Sequence, residues 1–287
     1  MFRPIIRATA LEIGCDALAY LITLASLALS TLASALHYHQ FGEPGAMARE
    51  AGLSAIFAGG LAFSIFSCVR SIRREMESGT LEMVLAHSVS RTGFFLSKLA
   101  GVFWAYLKFF AILACNSLIL IRGAELGAAA AQGDIARMWG PSLACAVAII
   151  LAPLVLAAAA NRFFSLRFVR TANILTLVVA LAAVFYAIDF SLAGRFLACA
   201  ALLLPPTAFF IALAGAAATR LGENGAAAFA FTSALVALPL LGNYYLPRVL
   251  AKGGSLDWTY LALAFVATLP AIFCAAYAGA KSMERVR

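Results

Sequence analysis

Polar and charged residues in this chain collect in short islands between apolar stretches of about twenty residues. Such stretches fall near 15–36, 51–69, 94–121, 139–161, 171–190, 196–219, 225–247 and 258–280. A helix of about 20 apolar residues reaches across the ~30 Å hydrocarbon core of a bilayer. Within lipid only helices satisfy their own backbone hydrogen bonds segment by segment, so the predicted fold is an all-α membrane bundle. It is read as a single membrane domain over 1–287. Residues 1–14 follow another pattern. Phe2, Ile5, Ile6 and Ile13 recur on one side at helical spacing, while Arg3, Arg7 and Glu12 are placed to face headgroups, which predicts an interfacial helix.

Two places break the alternation of span and loop. Leu204-Pro205-Pro206-Thr207 interrupts the run 196–219, and a proline pair cannot continue a helix interior. The region 196–247 therefore reads either as a re-entrant element or as two further spans beside six core ones. The run 225–247 ends in Gly242-Asn243-Tyr244-Tyr245-Leu246-Pro247, an aromatic interfacial signature. The second place is the island 70–98. Leu81, Val84, Leu85 and Val89 repeat at steps of three and four, so one face of a short helix is apolar. Thr80 is suited to cap it, Glu82 to sit at its positive end, and Ser78-Gly79 to turn the chain ahead of it. Ser90 is suited to cap a second short helix that runs through Phe94 and Lys98 into the third span. The expected design is helix, break, helix along one membrane face.

Composition agrees with the membrane class: 64% of the 287 residues are hydrophobic, 12% are charged, and the mean hydropathy is +0.95. The net charge of +8 invites a nucleic-acid reading. With an inward amino terminus and eight spans, however, fourteen of the 21 basic residues fall on the inner side and six on the outer. That asymmetry reports orientation in a bilayer, with both termini inward, rather than affinity for phosphate backbones. The first apolar run is too long for a signal-peptide core, so no cleavable signal is expected. The six cysteines all lie in apolar runs without paired spacing. His37 and His39 lie on a short polar loop and read as solvated rather than as a metal pair. Asp16 opens the first span, either at the interface or as a partnered charge inside the bundle. Lys108 is the charge left within a span, near the bilayer centre if that span begins around Leu99, where a charged side chain is expensive. It is either functional or a buried structural partner, of Asn116 or of another helix.

No phosphate loop of the GxxxxGK[ST] type, no HExxH and no GxSxG occurs. The block Glu75-x-Glu77-x-Gly79-Thr80-Leu81-Glu82, followed by Leu85, Ser90-Arg91 and Lys98, resembles the signature after the second span in permease subunits of type-2 ABC exporters. The proline-centred Leu204–Phe210 stretch resembles an element that such subunits carry before their last span. Ser88 stands where the family pattern has proline, and Ser97 where it has glycine. The resemblance implies a non-catalytic inner-membrane permease of the exporter kind, whose coupling helix within 70–98 rests in a groove of a separate ATP-binding cassette subunit. That partner would bind ATP and magnesium; this chain would bind no cofactor. A second permease copy or paralogue would complete a dimer, and the substrate is not legible.

In that frame Leu81, Val84 and Leu85 would press into the groove, and Glu75, Glu77 and Glu82 would pair with basic residues of the ATPase rim. Gly79-Thr80 would set the bend, while Arg91 and Lys98 would hold the second short helix at the headgroups. Lys108, Asn116, Pro205, Pro206 and Thr207 are candidate pathway or structural residues. Hydropathy favours eight spans and the resemblance six, with 196–247 dipping in from outside. The alternatives from other classes are an ATP-independent membrane enzyme or assembly factor and a secondary transporter using Lys108 and Asp189.

Overall fold

The computed structural model describes residues 2–35, 45–78, 90–129, 135–187, 190–244 and 258–284. Ten helices, and no strand, occur among the described residues: α1 (Phe2–Gly14), α2 (Ala17–Ala35), α3 (Ala46–Glu77), α4 (Arg91–Ala129), α5 (Ile135–Phe164), α6 (Phe168–Ala187), α7 (Phe190–Ala201), α8 (Leu204–Ala218), α9 (Glu223–Tyr244) and α10 (Trp258–Glu284). Six stretches are long and apolar enough to cross a membrane: Ala17–Ala35, Met47–Glu77, Arg91–Leu126, Gly140–Phe164, Phe168–Phe185 and Ala193–Ala218. Five of them fall on the first five apolar runs. The sixth covers the proline-interrupted run.

Local chemistry explains several boundaries. Asp16 sits between α1 and α2, and its Oδ1 accepts from Leu18 N at 3.4 Å, so it caps α2. Ser90 caps α4 through Gly93 N to Ser90 Oγ at 3.1 Å. Beyond that cap α4 runs uninterrupted for 39 residues, so the separate short helix expected through Phe94 and Lys98 is the first turns of α4. Glu75 and Glu77 likewise belong to the last turn of α3, not to a loop.

The chain divides into two compact units, each assembled from separate stretches: one from 1–13, 61–106 and 201–287, the other from 14–60 and 107–200. In the second unit α2, α5 and α6 pack together. Tyr20, Ala157 and Ala172 form a small buried cluster there, with Leu24, Leu154, Val169 and Leu175 against it. The Tyr20 and Thr176 hydroxyls meet at 3.2 Å within it. Small side chains allow close approach elsewhere in this unit: a Cβ on Gly52 would lie 2.5 Å from Ser117 Oγ. α5 and α6 nevertheless leave Leu151, Val155, Val178 and Phe185 exposed, the arrangement of helices that face lipid.

In the first unit α8 packs between α9 and α10 and runs antiparallel to the start of α4. Thr207, in the first turn of α8, bonds to the Tyr106 hydroxyl at 3.3 Å. Further along α8, a Cβ on Gly215 would meet Leu99, Phe95 and Cys68. Tyr106 lies eight residues past Lys98, so the Pro205-Pro206 start of α8 stands about 12 Å along α4 from Lys98, well inside a membrane-crossing length. A helix start at that depth would leave up to four backbone N–H groups unpaired, and two prolines in the first turn carry none. Pro205, Pro206 and Thr207 are all buried against protein, the condition under which broken helices are tolerated in lipid.

Candidate functional site

The elements flanking the 79–89 segment meet, within the first unit, in an ion cluster built around the buried Lys98. α3 approaches the segment with Ser71, Arg74 and Glu75, and α4 leaves it with Phe94 and Lys98. Lys98 is only 3% exposed. Its Nζ lies 2.5 Å from Glu75 Oε1 and 3.4 Å from Glu12 Oε2, and it donates to Ser71 Oγ at 3.2 Å. The three donors of the ammonium are thus all engaged. Ser71 Oγ in turn donates to Glu12 Oε2 at 3.4 Å, and the Phe94 ring centroid is 5.9 Å from Nζ. Arg74 Nη1 closes the cluster 4.0 Å from Glu12 Oε1. Two carboxylates face two cations, so the site is electrically balanced, as a buried charge requires.

Glu12 is the third component and comes from α1. That helix is held against α4 by backbone proximity: a Cβ on Gly101 would lie 2.6 Å from Thr9 Cβ and 3.0 Å from the Ile6 carbonyl oxygen. A Cβ on Gly93 would collide with the Phe2 ring. Two glycines on α4 therefore let α1 lie close enough for Glu12 to reach Lys98.

Several expectations change here. Lys98 does not hold headgroups; a charge beside two carboxylates and a hydroxyl is better satisfied inward. Glu12 faces Lys98 and Arg74 rather than headgroups. Glu75 is engaged with Lys98 within the chain, and Glu77 pairs with Arg73 at 2.8 Å on the exposed side of α3. Arg91 is exposed at the first position of α4. Gly79, Thr80, Leu81, Glu82, Val84 and Leu85 lie outside the described residues, as do His37, His39 and Asp189. Sequence reading missed Glu12, Ser71 and Arg74 as members of the site. The available signal was an acid on an otherwise basic amphipathic helix, which alone names no partner.

The remaining candidates are dispersed. Asn116 is fully buried in the second unit, where its Nδ2 donates to Ser30 Oγ at 3.1 Å and to Thr31 Oγ1 at 3.3 Å. It is thus a structural partner of α2 and not of Lys108. Lys108 is exposed on α4 and makes no hydrogen bond or ion pair among the described residues. Pro205, Pro206 and Thr207 form the buried start of α8.

The chain matches no protein-family model, no curated protein and no solved structure. What stands is that the described residues are helical and include six helices long and apolar enough to span a membrane.

Proposed function

We propose that this chain is the permease subunit of an ATP-binding cassette transporter, of the exporter kind, moved by a separate ATPase that docks on the 79–89 segment. The observation that carries this reading is the Glu12–Glu75–Lys98 cluster. It ties the end of α3 directly to the start of α4 and ties both to α1, so a push on the segment between them moves three helices together. A loop that merely joins two spans has no need of a buried lysine with two carboxylates at its base. The motif Glu75-x-Glu77-x-Gly79-Thr80-Leu81-Glu82 supplies the second support, by its likeness to the coupling signature of type-2 exporter permeases.

In this proposal the chain has no catalytic role, binds no cofactor, and leaves ATP and magnesium to its partner. A second copy or a paralogue completes the pathway in the inner membrane, and both termini are cytoplasmic. α8 and α10 end together: Arg220 Nε donates to Ser282 Oγ at 3.0 Å, and a Cβ on Gly279 would press on Phe95 and Ala216. That proximity favours a run 193–218 that crosses fully to the side of Lys98, with α9 and α10 as two further crossings.

The test is capture and uncoupling. The tagged chain, purified from its native membrane in mild detergent, is expected to carry a P-loop ATPase. Cysteines placed at Leu81 or Leu85 are expected to crosslink to that subunit. Gly79→Pro, or Leu81→Asp with Leu85→Asp, is expected to leave insertion and ATP hydrolysis in place and abolish transport. A chain that purifies without an ATPase and keeps its cellular role with these substitutions refutes the proposal.

A further inference from the structure

Lys108 is the charge that the ion cluster does not explain. Along the uninterrupted helix α4 it lies ten residues beyond Lys98 and fourteen before Arg122, which pairs with Glu125 at 4.0 Å. At 1.5 Å per residue this places Lys108 about 15 Å from one charged level and about 21 Å from the other, near the middle of the hydrocarbon. A four-carbon stem about 6 Å long cannot carry its ammonium to either surface. The side chain is exposed on the chain's surface, beside the partly buried Leu107, Phe110 and Ala111. A lysine facing lipid at that depth costs about 3 kcal/mol or more, so this face meets something other than acyl chains.

Among the described residues, a second copy of the chain brings no carboxylate of its candidate spans to that level. Every carboxylate within the six candidate spans lies within four residues of a span end: Glu50, Glu75, Glu77 and Glu125. The other nine acidic residues lie outside those spans altogether. Two copies meeting on this face would set lysine against lysine.

We infer that Lys108 is a recognition site for the acidic group of an apolar ligand, a carboxylate or phosphate on a hydrocarbon body. The ammonium would receive the acid, while the apolar side chains around it receive the hydrocarbon. This names a chemical class for the cargo of the transporter proposed above and rests on that reading for its role. Its test needs no ATPase, so the two fail separately.

Trp104, four residues earlier on the same helix and 57% exposed, is a built-in reporter. With Trp139 and Trp258 changed to Phe, Trp104 is the last of the chain's three tryptophans. The chain is placed in phosphatidylcholine nanodiscs and titrated with dibromostearate or with its methyl ester, whose bromines quench tryptophan on contact. The ionised acid is expected to reach half-quenching at roughly tenfold lower concentration than the ester, the increment of one charged hydrogen bond. Lys108→Arg is expected to keep that preference and Lys108→Met to erase it. Equal quenching by acid and ester overturns the inference, as does a preference that survives in Lys108→Met. Absence of quenching by either probe, which would mean that this face is sealed by protein, overturns it as well.

Discussion

Coupling between Glu75 and Lys98 is the most direct measure of whether the ion cluster is a mechanical joint. At the observed 2.5 Å, with an effective dielectric constant near 20, their attraction is about 7 kcal/mol before solvation is counted. Desolvating Lys98, buried to 3% exposure, takes back several kcal/mol. Glu12 lies 3.4 Å from the same ammonium and compensates in part when Glu75 is neutralised. Both carboxylates also keep a quarter to a third of their surface in solvent, which screens them. The expected coupling energy is therefore about 2 kcal/mol, below the 3–5 typical of breaking a fully buried pair. A double-mutant cycle of Glu75→Gln and Lys98→Met, read by reversible unfolding in mixed detergent micelles, measures it. Lys98→Met alone is expected to be the most damaging single change, because it removes the cation nearest to both carboxylates. A coupling energy under about 0.5 kcal/mol would place this pair with ordinary surface ion pairs and remove the cluster as an argument for force transfer.

Two further outcomes follow from the same geometry. Gly101→Leu is expected to lever α1 off α4 and cost about 1–3 kcal/mol, since its Cβ would meet Thr9 and the Ile6 carbonyl. Gly140→Ala, with open space around it, is the neutral control. Hydrogen exchange of residues 2–14 reads the difference, and unchanged protection in Gly101→Leu refutes the close approach. A cysteine at Glu223, in a background without the native six, is expected to be labelled by a membrane-impermeant thiol reagent only from the side of the carboxyl terminus, because Arg220 lies beside Ser282. Labelling from the opposite side would restore the re-entrant reading of 196–247.

Charge placement gives this molecule its organisation. One lysine, Lys98, is enclosed and balanced at the base of a connecting segment; the other, Lys108, stands ten residues on with no ion pair among the described residues. In water the two would be equivalent solvated side chains. In a membrane each position requires a partner, because an uncompensated charge in hydrocarbon is costly. The partner of Lys98 is internal and serves stiffness. That of Lys108 is, on the inference above, the acid of an apolar ligand.

What the sequence determined was whatever depends on near neighbours. Apolar run length set the spanning helices, since each one closes its own hydrogen bonds. Ser90 and Asp16 marked helix starts, and Leu204-Pro205-Pro206-Thr207 marked a break in a span. Tertiary structure decided the rest. Glu12 meets Lys98 across 86 residues of chain, and Thr207 meets Tyr106 across 101. The break in the run 196–219 became a buried helix start beside α4. Sequence periodicity could not show these faces, for a physical reason. Lipid and protein interior are equally apolar, so a spanning helix is greasy all round and carries little trace of which side meets a neighbour. Only when the helices are packed does it emerge that Asn116 faces α2, that Lys98 faces Glu12 and Glu75, and that Lys108 faces out.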